Sequence, residues 1–301
     1  MRKAGDNMQY RTDLALEAAE TLTGTAGLTA QDMEKSVVTQ GDATITRIRI
    51  LSDRGAEALG KQPGRYVTVE VPPLSDNGEQ LEETARLIGE ELRALLPEEG
   101  CVVVVGLGNE SITPDALGPK MAGMTLATRH IQGEFARTYG LDGLRPAAVM
   151  APGVLGQTGM ESGEVIRGLC EVVHPAAVIA VDALAARSTA RLGCTVQLCD
   201  TGISPGSGVG NNRLALDRET LGVPVIGMGV PTVVDARTLA AELAEDRVPE
   251  ETVAPRGAQM MVTPREIDLI ISRAARLVAM SIDAALHPDY SPMELLSVAS
   301  D

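Results

Sequence analysis

"AAVIAVD", residues 176–182, is an uninterrupted apolar run that ends on a carboxylate. A strand with one wet face alternates, so a run without alternation predicts a strand covered on both faces, as inside a parallel sheet. Four more runs share this character: "CVVVVG" from Cys101, "AAVMAPG" from Ala147, "CTVQLCD" from Cys194 and "VPVIGMGV" from Val223. Between most of them lie helical patterns such as "TPDALGPKMAGMTLATRHI" (113–131) and "TGMESGEVIRGLCEVVH" (158–174). Strand and helix in alternation predict an α/β fold, a three-layer open and mostly parallel sheet with helices on both faces. Ahead of it, "ATITRIRIL" and "RYVTVEV" read as strands and "EQLEETARLIGEELRALL" as an amphipathic helix, giving an N-terminal β/α extension or subdomain over 14–98 and a core over 99–301. Residues 244–258, "AEDRVPEETVAPRGA", read as a loop, and a helix begins near "TPREIDLIISRAARLVAMSIDAAL".

Composition removes several function classes. Twenty-six Lys and Arg stand against 41 Asp and Glu, and the net charge of −15 repels phosphate backbones and anionic membranes. No nucleic-acid partner and no membrane partner are expected. An aromatic content of 2% leaves no base-stacking platform and requires an aliphatic core. No apolar run approaches the length of a membrane span, which predicts a cytoplasmic protein. Cys101, Cys170, Cys194 and Cys199 form no CxxC pair and sit in apolar stretches, as inert thiols in a reducing compartment do. The three histidines are scattered without an HExxH arrangement, so neither a metal nor another cofactor is expected.

In an open parallel sheet, ligands bind beyond the carboxyl ends of the strands. Three segments occupy such places. In "GLGNESITPDALGPK" (106–120), Thr113 as N-cap and Pro114 as first helical residue put Asp115 in the first turn, facing the crevice. In "VDALAARS" (181–188), Asp182 ends a strand. "DTGISPGSGVGNNR" (200–213) is a long Gly-rich loop. Two carboxylates brought together at one edge share a proton, because like charges a few ångströms apart resist joint ionisation. On spacing alone, Asp115 equally serves a helix start and Asp182 a strand end. Other motifs fail: "GLGNES" has Ser111 where a dinucleotide fingerprint needs its third glycine, and "GISPGSGVG" lacks the GK[ST] ending of a phosphate loop. The "DTG" triplet at 200–202 belongs to nearly all-β proteases, against the alternation here, which leaves Asp200 a loop or supporting residue. Ser188, Ser204 and Ser207 have no neighbouring His or Lys to activate them.

"RTDLALEA", residues 11–18, admits two readings. It is a helix start, with Asp13 as N-cap and with Glu17 and Glu20 near the positive end of the dipole, although Leu16 stands where a capping box needs Glu or Gln. It is also a peptide suited to being cut.

The blocks "RTDLALEA", "EALGKQPGRYVTVE", "VVGLGN", "TPDALGPK", "ATRHI", "APGVLGQTG", "VIAVDALAARS", "DTGISPGSGVGN", "GVPVIGMGVPTVVDA" and "MVTPREID" resemble, in order and spacing, the germination proteases of spore-forming bacteria. More distantly the chain is similar to the hydrogenase-maturation endopeptidases. The resemblance implies an endopeptidase made as a self-processing zymogen, degrading small acid-soluble spore proteins in the spore core and assembling as a homotetramer. The family's two essential aspartates fall on Asp115 and Asp182. Its substrates are cut after an acidic residue and before a large apolar residue followed by Ala, any residue and Glu. That pattern places self-cleavage between Asp13 and Leu14, with residues 1–13 as propeptide and 14–301 as one peptidase domain. Backbone N–H groups around Gly206, Ser207 and Gly208 are candidates for holding the substrate or the oxyanion. Ser204 stands where a His ligand of the maturation enzymes would help, and the 244–258 loop is shorter than the family's helical insert. The rival readings are a metallopeptidase using the same carboxylates and a catalytically silent α/β binding module.

Overall fold

A computed structural model describes residues 12–22, 28–76, 81–131, 133–138, 141, 143–205, 214–244 and 260–300. In chain order its elements are α1 (Ala15–Leu22), β1 (Met33–Gln40), β2 (Ala43–Ile50), α2 (Asp53–Leu59), β3 (Gly64–Glu70), α3 (Leu81–Arg93), β4 (Val102–Gly106), α4 (Leu117–Ala122) and α5 (Gly133–Thr138). There follow β5 (Ala147–Met150), α6 (Leu155–Thr158), α7 (Ser162–Val173), β6 (Ala177–Ala186), β7 (Thr195–Cys199), α8 (Arg218–Leu221), β8 (Val225–Asp235), α9 (Ala236–Leu243), β9 (Met261–Val262), α10 (Ile267–Leu286) and α11 (Pro292–Ser300).

One sheet runs through all nine strands in the order β1-β2-β3-β7-β8-β6-β4-β5, with β9 paired to β8. Its core, β5-β4-β6-β8, is parallel, as the apolar runs predict. The wing β1-β2-β3-β7 is antiparallel and joins the core antiparallel at β8. β7 is therefore a non-alternating run, buried along its whole length, that pairs antiparallel on both sides. Continuous apolarity reports burial of both faces and leaves strand direction unspecified. β1 carries Glu34, Lys35 and Ser36 on an exposed edge, where no buried face imposes a pattern.

Neighbouring residues of β6 go to opposite sides. Ile179 and Val181 pack with Leu277 and Val278 of α10 and Ile88 of α3, while Val178 and Ala180 pack with Ile166 of α7. The face that carries Val178 also receives α1, whose Ala15 and Ala19 pack with Ile48, Tyr66 and Cys199.

The pattern at 113–131 does not form one helix. Thr113–Asp115 is a turn of 3₁₀ helix with Ile112 as N-cap, followed by the short α4 ending at Gly123. Its position is set by backbone contact with the end of β4: a Cβ on Gly118 would stand 2.2 Å from the Leu107 carbonyl oxygen, and one on Gly106 2.0 Å from that of Gly118. Only glycine at both positions allows this approach, and it brings the Asp115 turn against the sheet edge.

Candidate active site

A cavity of about 690 Å³ opens at this edge, and Asp13, Lys61, Asp115, Asp182 and Gln197 all line it. Asp182 lies within β6 at 6% exposure, its carboxylate accepting from the Ala183 N–H at 2.9 Å. Its register partner on β8 is Gly229, and on β7 Gly229 is in turn opposite Gln197. A Cβ on Gly229 would stand 2.4 Å from the Asp182 carbonyl oxygen and 2.7 Å from Leu184 Cγ. Asp182 and Gln197 thus point from the same face, and the absence of a side chain at Gly229 makes room for Leu184 to lie between their strands. Asp115 is held from two directions: its carboxylate accepts from the Asn109 N–H at 2.7 Å, and the carbonyl of Pro114 accepts from Thr232 Oγ1 at 2.8 Å. Asp115 thus closes a 3₁₀ turn, and Thr113 is not a cap.

The segment before α1 reaches the same cavity, with Asp13 in its wall. Asp13 does not cap α1; its N–H donates to the Ala185 carbonyl at 3.0 Å and its carboxylate accepts from the Ala185 N–H at 2.8 Å. The chain here is extended against β6, and an extended backbone with both its polar groups and its side chain engaged has no need to wind into the helix a residue earlier. The Asp13 carbonyl accepts from Lys61 Nζ at 2.9 Å and Gln197 Nε2 at 2.8 Å, while Gln197 Oε1 accepts from the Ala15 N–H at 2.7 Å. The Leu14 N–H donates to Thr12 Oγ1 at 3.0 Å. The Leu14 side chain is fully buried with Leu184, Ala186 and Val234. Glu17, 2% exposed, accepts from the N–H groups of Arg187 at 2.7 Å and Ser188 at 3.0 Å, and Arg191 Nε stands 3.5 Å away.

Gly206, Ser207 and Gly208 lie outside the described residues, as does most of the 244–258 loop. Asp200 follows β7, where it accepts from the Arg65 backbone N–H at 2.7 Å and pairs with the Arg65 guanidinium at 2.7 Å. Cys199 is buried at the cavity wall, and burial pushes its thiol up, away from the thiolate a nucleophile needs. Among the described residues no three His, Cys, Asp or Glu side chains group as metal ligands, and no helix is long and apolar enough to cross a membrane.

Sequence reading missed Lys61, Gln197 and the polar strip at 185–191. Gln197 left a trace, as the polar member of a buried run. Lys61 left none, since it reaches the site from the turn that ends α2.

A family profile described as germination protease matches residues 12–248. The germination protease of Clostridium acetobutylicum is 39% identical, the match covering 92% of this chain and 95% of the relative, and that of Bacillus subtilis is 35% identical over 95% and 96%. The chain belongs to the germination protease family. Among solved structures, a NiFe hydrogenase maturation protease, HycI from Thermococcus kodakarensis, is similar over 64% of this chain and 99% of its own, at 18% identity and a TM-score of 0.35. As a germination protease the chain is an endopeptidase, and its substrate is a protein.

Proposed function

We propose that this germination protease is made as a precursor that cuts itself between Asp13 and Leu14, using Asp115 and Asp182 as an acid–base pair. What carries the reading is that Asp13, the residue on the acidic side of the bond singled out by the cleavage pattern, lines the same cavity as both aspartates. Each letter of that pattern also has a partner in the folded chain: the Asp13 carboxylate at Ala185, the buried Leu14 and Ala15, and Glu17 at Arg187, Ser188 and Arg191.

In this mechanism one aspartate, ionised, takes a proton from water as the water oxygen adds to the Asp13 carbonyl carbon. The other, protonated, gives its proton to the Leu14 nitrogen as the C–N bond breaks. The products are a carboxyl at Asp13 and an amine at Leu14, and the pair ends with one proton between its members, ready for another cycle. After release of residues 1–13 the same cleft takes small acid-soluble spore proteins bearing the same pattern. Assembly as a homotetramer in the spore core belongs to this reading and is checked by sedimentation of the processed chain.

The deciding experiment incubates the purified full-length chain at several pH values and sequences any new N-terminus. A new terminus at Leu14, absent in Asp182→Asn, is expected. A terminus elsewhere, or cutting that persists in Asp182→Asn without added protease, defeats the reading.

A further inference from the structure

The carbonyl of Asp13 is more strongly engaged than segment anchoring alone requires. An extended peptide is already placed by the two-way pairing of Asp13 with Ala185 and by the burial of Leu14. Yet the same carbonyl oxygen receives two further side-chain donors, Lys61 Nζ and Gln197 Nε2. We propose that Lys61 and Gln197 are catalytic residues that hold the scissile carbonyl oxygen and stabilise the negative charge it gains while the 13–14 bond is cut. The assignment rests on the self-processing reading above, which names that bond.

Three observations support it. First, both donors meet the same oxygen from separate elements, Lys61 from the end of α2 and Gln197 from β7. Two donors converging on one carbonyl are the arrangement that stabilises a tetrahedral intermediate. Second, both donors are fixed before any reaction. The Gln197 amide oxygen is committed to the Ala15 N–H, which leaves its nitrogen to face Asp13. The Lys61 backbone is tied to α2 by its N–H on the Ala56 carbonyl at 3.1 Å, after Gly60 has turned left-handed at φ 61°. Third, Gln197, Gly229 and Asp182 lie in register on adjacent strands, which places the donor and a proposed acid–base residue on one face of the sheet, with the Leu184 side chain lying over the glycine between them.

Lys61 is half-buried, and its removal from water pushes the ammonium below its ordinary value, with Asp13 pulling the other way. A cation weakly held by solvent is a strong donor to a developing oxyanion. The step balances as before: water adds to carbon, the carbonyl π electrons move to the oxygen held by the two donors, and they return as the C–N bond breaks and the nitrogen takes the acid's proton.

The test uses the full-length chain and the first-order rate of Leu14 terminus formation, with thermal melting as a control for folding. Lys61→Met is expected to slow cutting about 10²–10³-fold, the usual loss for one such donor, and Gln197→Met by a similar order. Lys61→Arg, which restores a cationic donor, should regain at least about tenfold over Lys61→Met. A residue that only anchors the segment would not show this rescue with melting held within a few degrees. Should Lys61→Met fail to fold, Lys61→Gln, which keeps a neutral donor, takes its place and should still be slowed at least about tenfold. If wild type is cut, Asp182→Asn is not, and the Lys61 variant is cut within about threefold of wild type, the Lys61 assignment is overturned and the self-processing reading survives. If wild type is never cut at Leu14, both fall together.

Discussion

Two clusters of titratable side chains lie on opposite faces of the sheet, and the protein treats them in opposite ways. On the cleft face, the carboxylates of Asp13 and Glu17 receive backbone N–H groups from Ala185, Arg187 and Ser188, and Arg191 lies beside Glu17. On the other face, α10 buries Asp283 and, one turn on, His287. There Asp283 accepts from the Leu126 N–H at 3.2 Å, but its second oxygen and both imidazole nitrogens have no hydrogen-bond partner among the described residues. Burial pushes Asp283 up to about 7 and His287 down to about 4, the latter helped by the positive charge of Arg145. The cleft-face carboxyl groups are met by backbone donors, while on the α10 face burial with few partners suppresses charge.

The largest effect should come from the cleft. Asp115→Asn and Asp182→Asn should each reduce cutting about 10²–10⁴-fold with the fold intact, since the amide keeps the carboxylate's shape and loses its proton chemistry. The double variant should be little worse than either single one, because groups that act as a unit do not contribute additively. Retention of most activity by either single variant, measured as the rate of Leu14 terminus formation, would reassign that residue to structure.

On the opposite face, pH dependence of melting is the sharper probe. Between pH 3.8 and about 7 the folded chain retains a proton on Asp283 that the unfolded chain releases, so rising pH removes stability, about 4 kcal/mol in all. Between about 4 and 6.5 the unfolded chain binds a proton on His287 that the folded chain refuses, so rising pH adds about 3 kcal/mol. The two slopes oppose each other in the intact protein. Asp283→Asn should expose a melting temperature that climbs from pH 4 to 6.5, and His287→Leu one that falls from pH 4 to 7. Equal pH profiles for the two variants would show that neither group is held neutral.

Glu17→Gln tests whether recognition also stabilises. It replaces a carboxylate that receives two backbone N–H groups, and charged hydrogen bonds of this kind contribute about 1.5–3 kcal/mol. Denaturant midpoints should report that loss, while Arg191 keeps its pairs with Glu20 and Glu70. An unchanged midpoint would mean that water replaces those partners at no cost.

How much of this was legible follows from what a one-dimensional pattern encodes. The run "AAVIAVD" reports β6 because burial on both faces demands continuous apolarity, but the strand runs on to Ala186, so Asp182 lies inside it rather than at the end where the apolar run stops; the strand-end rule, applied after "CVVVVG", points to Asp115. The direction of β7 was not legible, since neighbours rather than faces decide it. The long helix expected over 113–131 failed because Gly118 serves a backbone crossing, which helical periodicity does not register. Asp13 looked like a cap because its true partner, Ala185, is brought close only by the sheet. Lys61 was beyond reach for the same reason, and Gln197 showed itself only as a polar residue where apolar ones were expected.

The smallest effect is expected at Asp200, and it separates the cleft's acids from one that merely sits nearby. The "DTG" triplet invites a catalytic role, but the Asp200 carboxylate is occupied by the Arg65 backbone and guanidinium, and it is not among the groups lining the cavity. Asp200→Asn keeps an oxygen for the Arg65 N–H and loses the charge on a partly exposed ion pair, in which both side chains reach solvent. Such pairs contribute about 0.2–1 kcal/mol, and salt screens them. Cutting should therefore stay within about threefold of wild type, with a stability loss that shrinks further in high salt. A loss of cutting comparable to that of Asp182→Asn would move Asp200 into the catalytic machinery and undo the division between the acids that do chemistry and the acids that hold strands together.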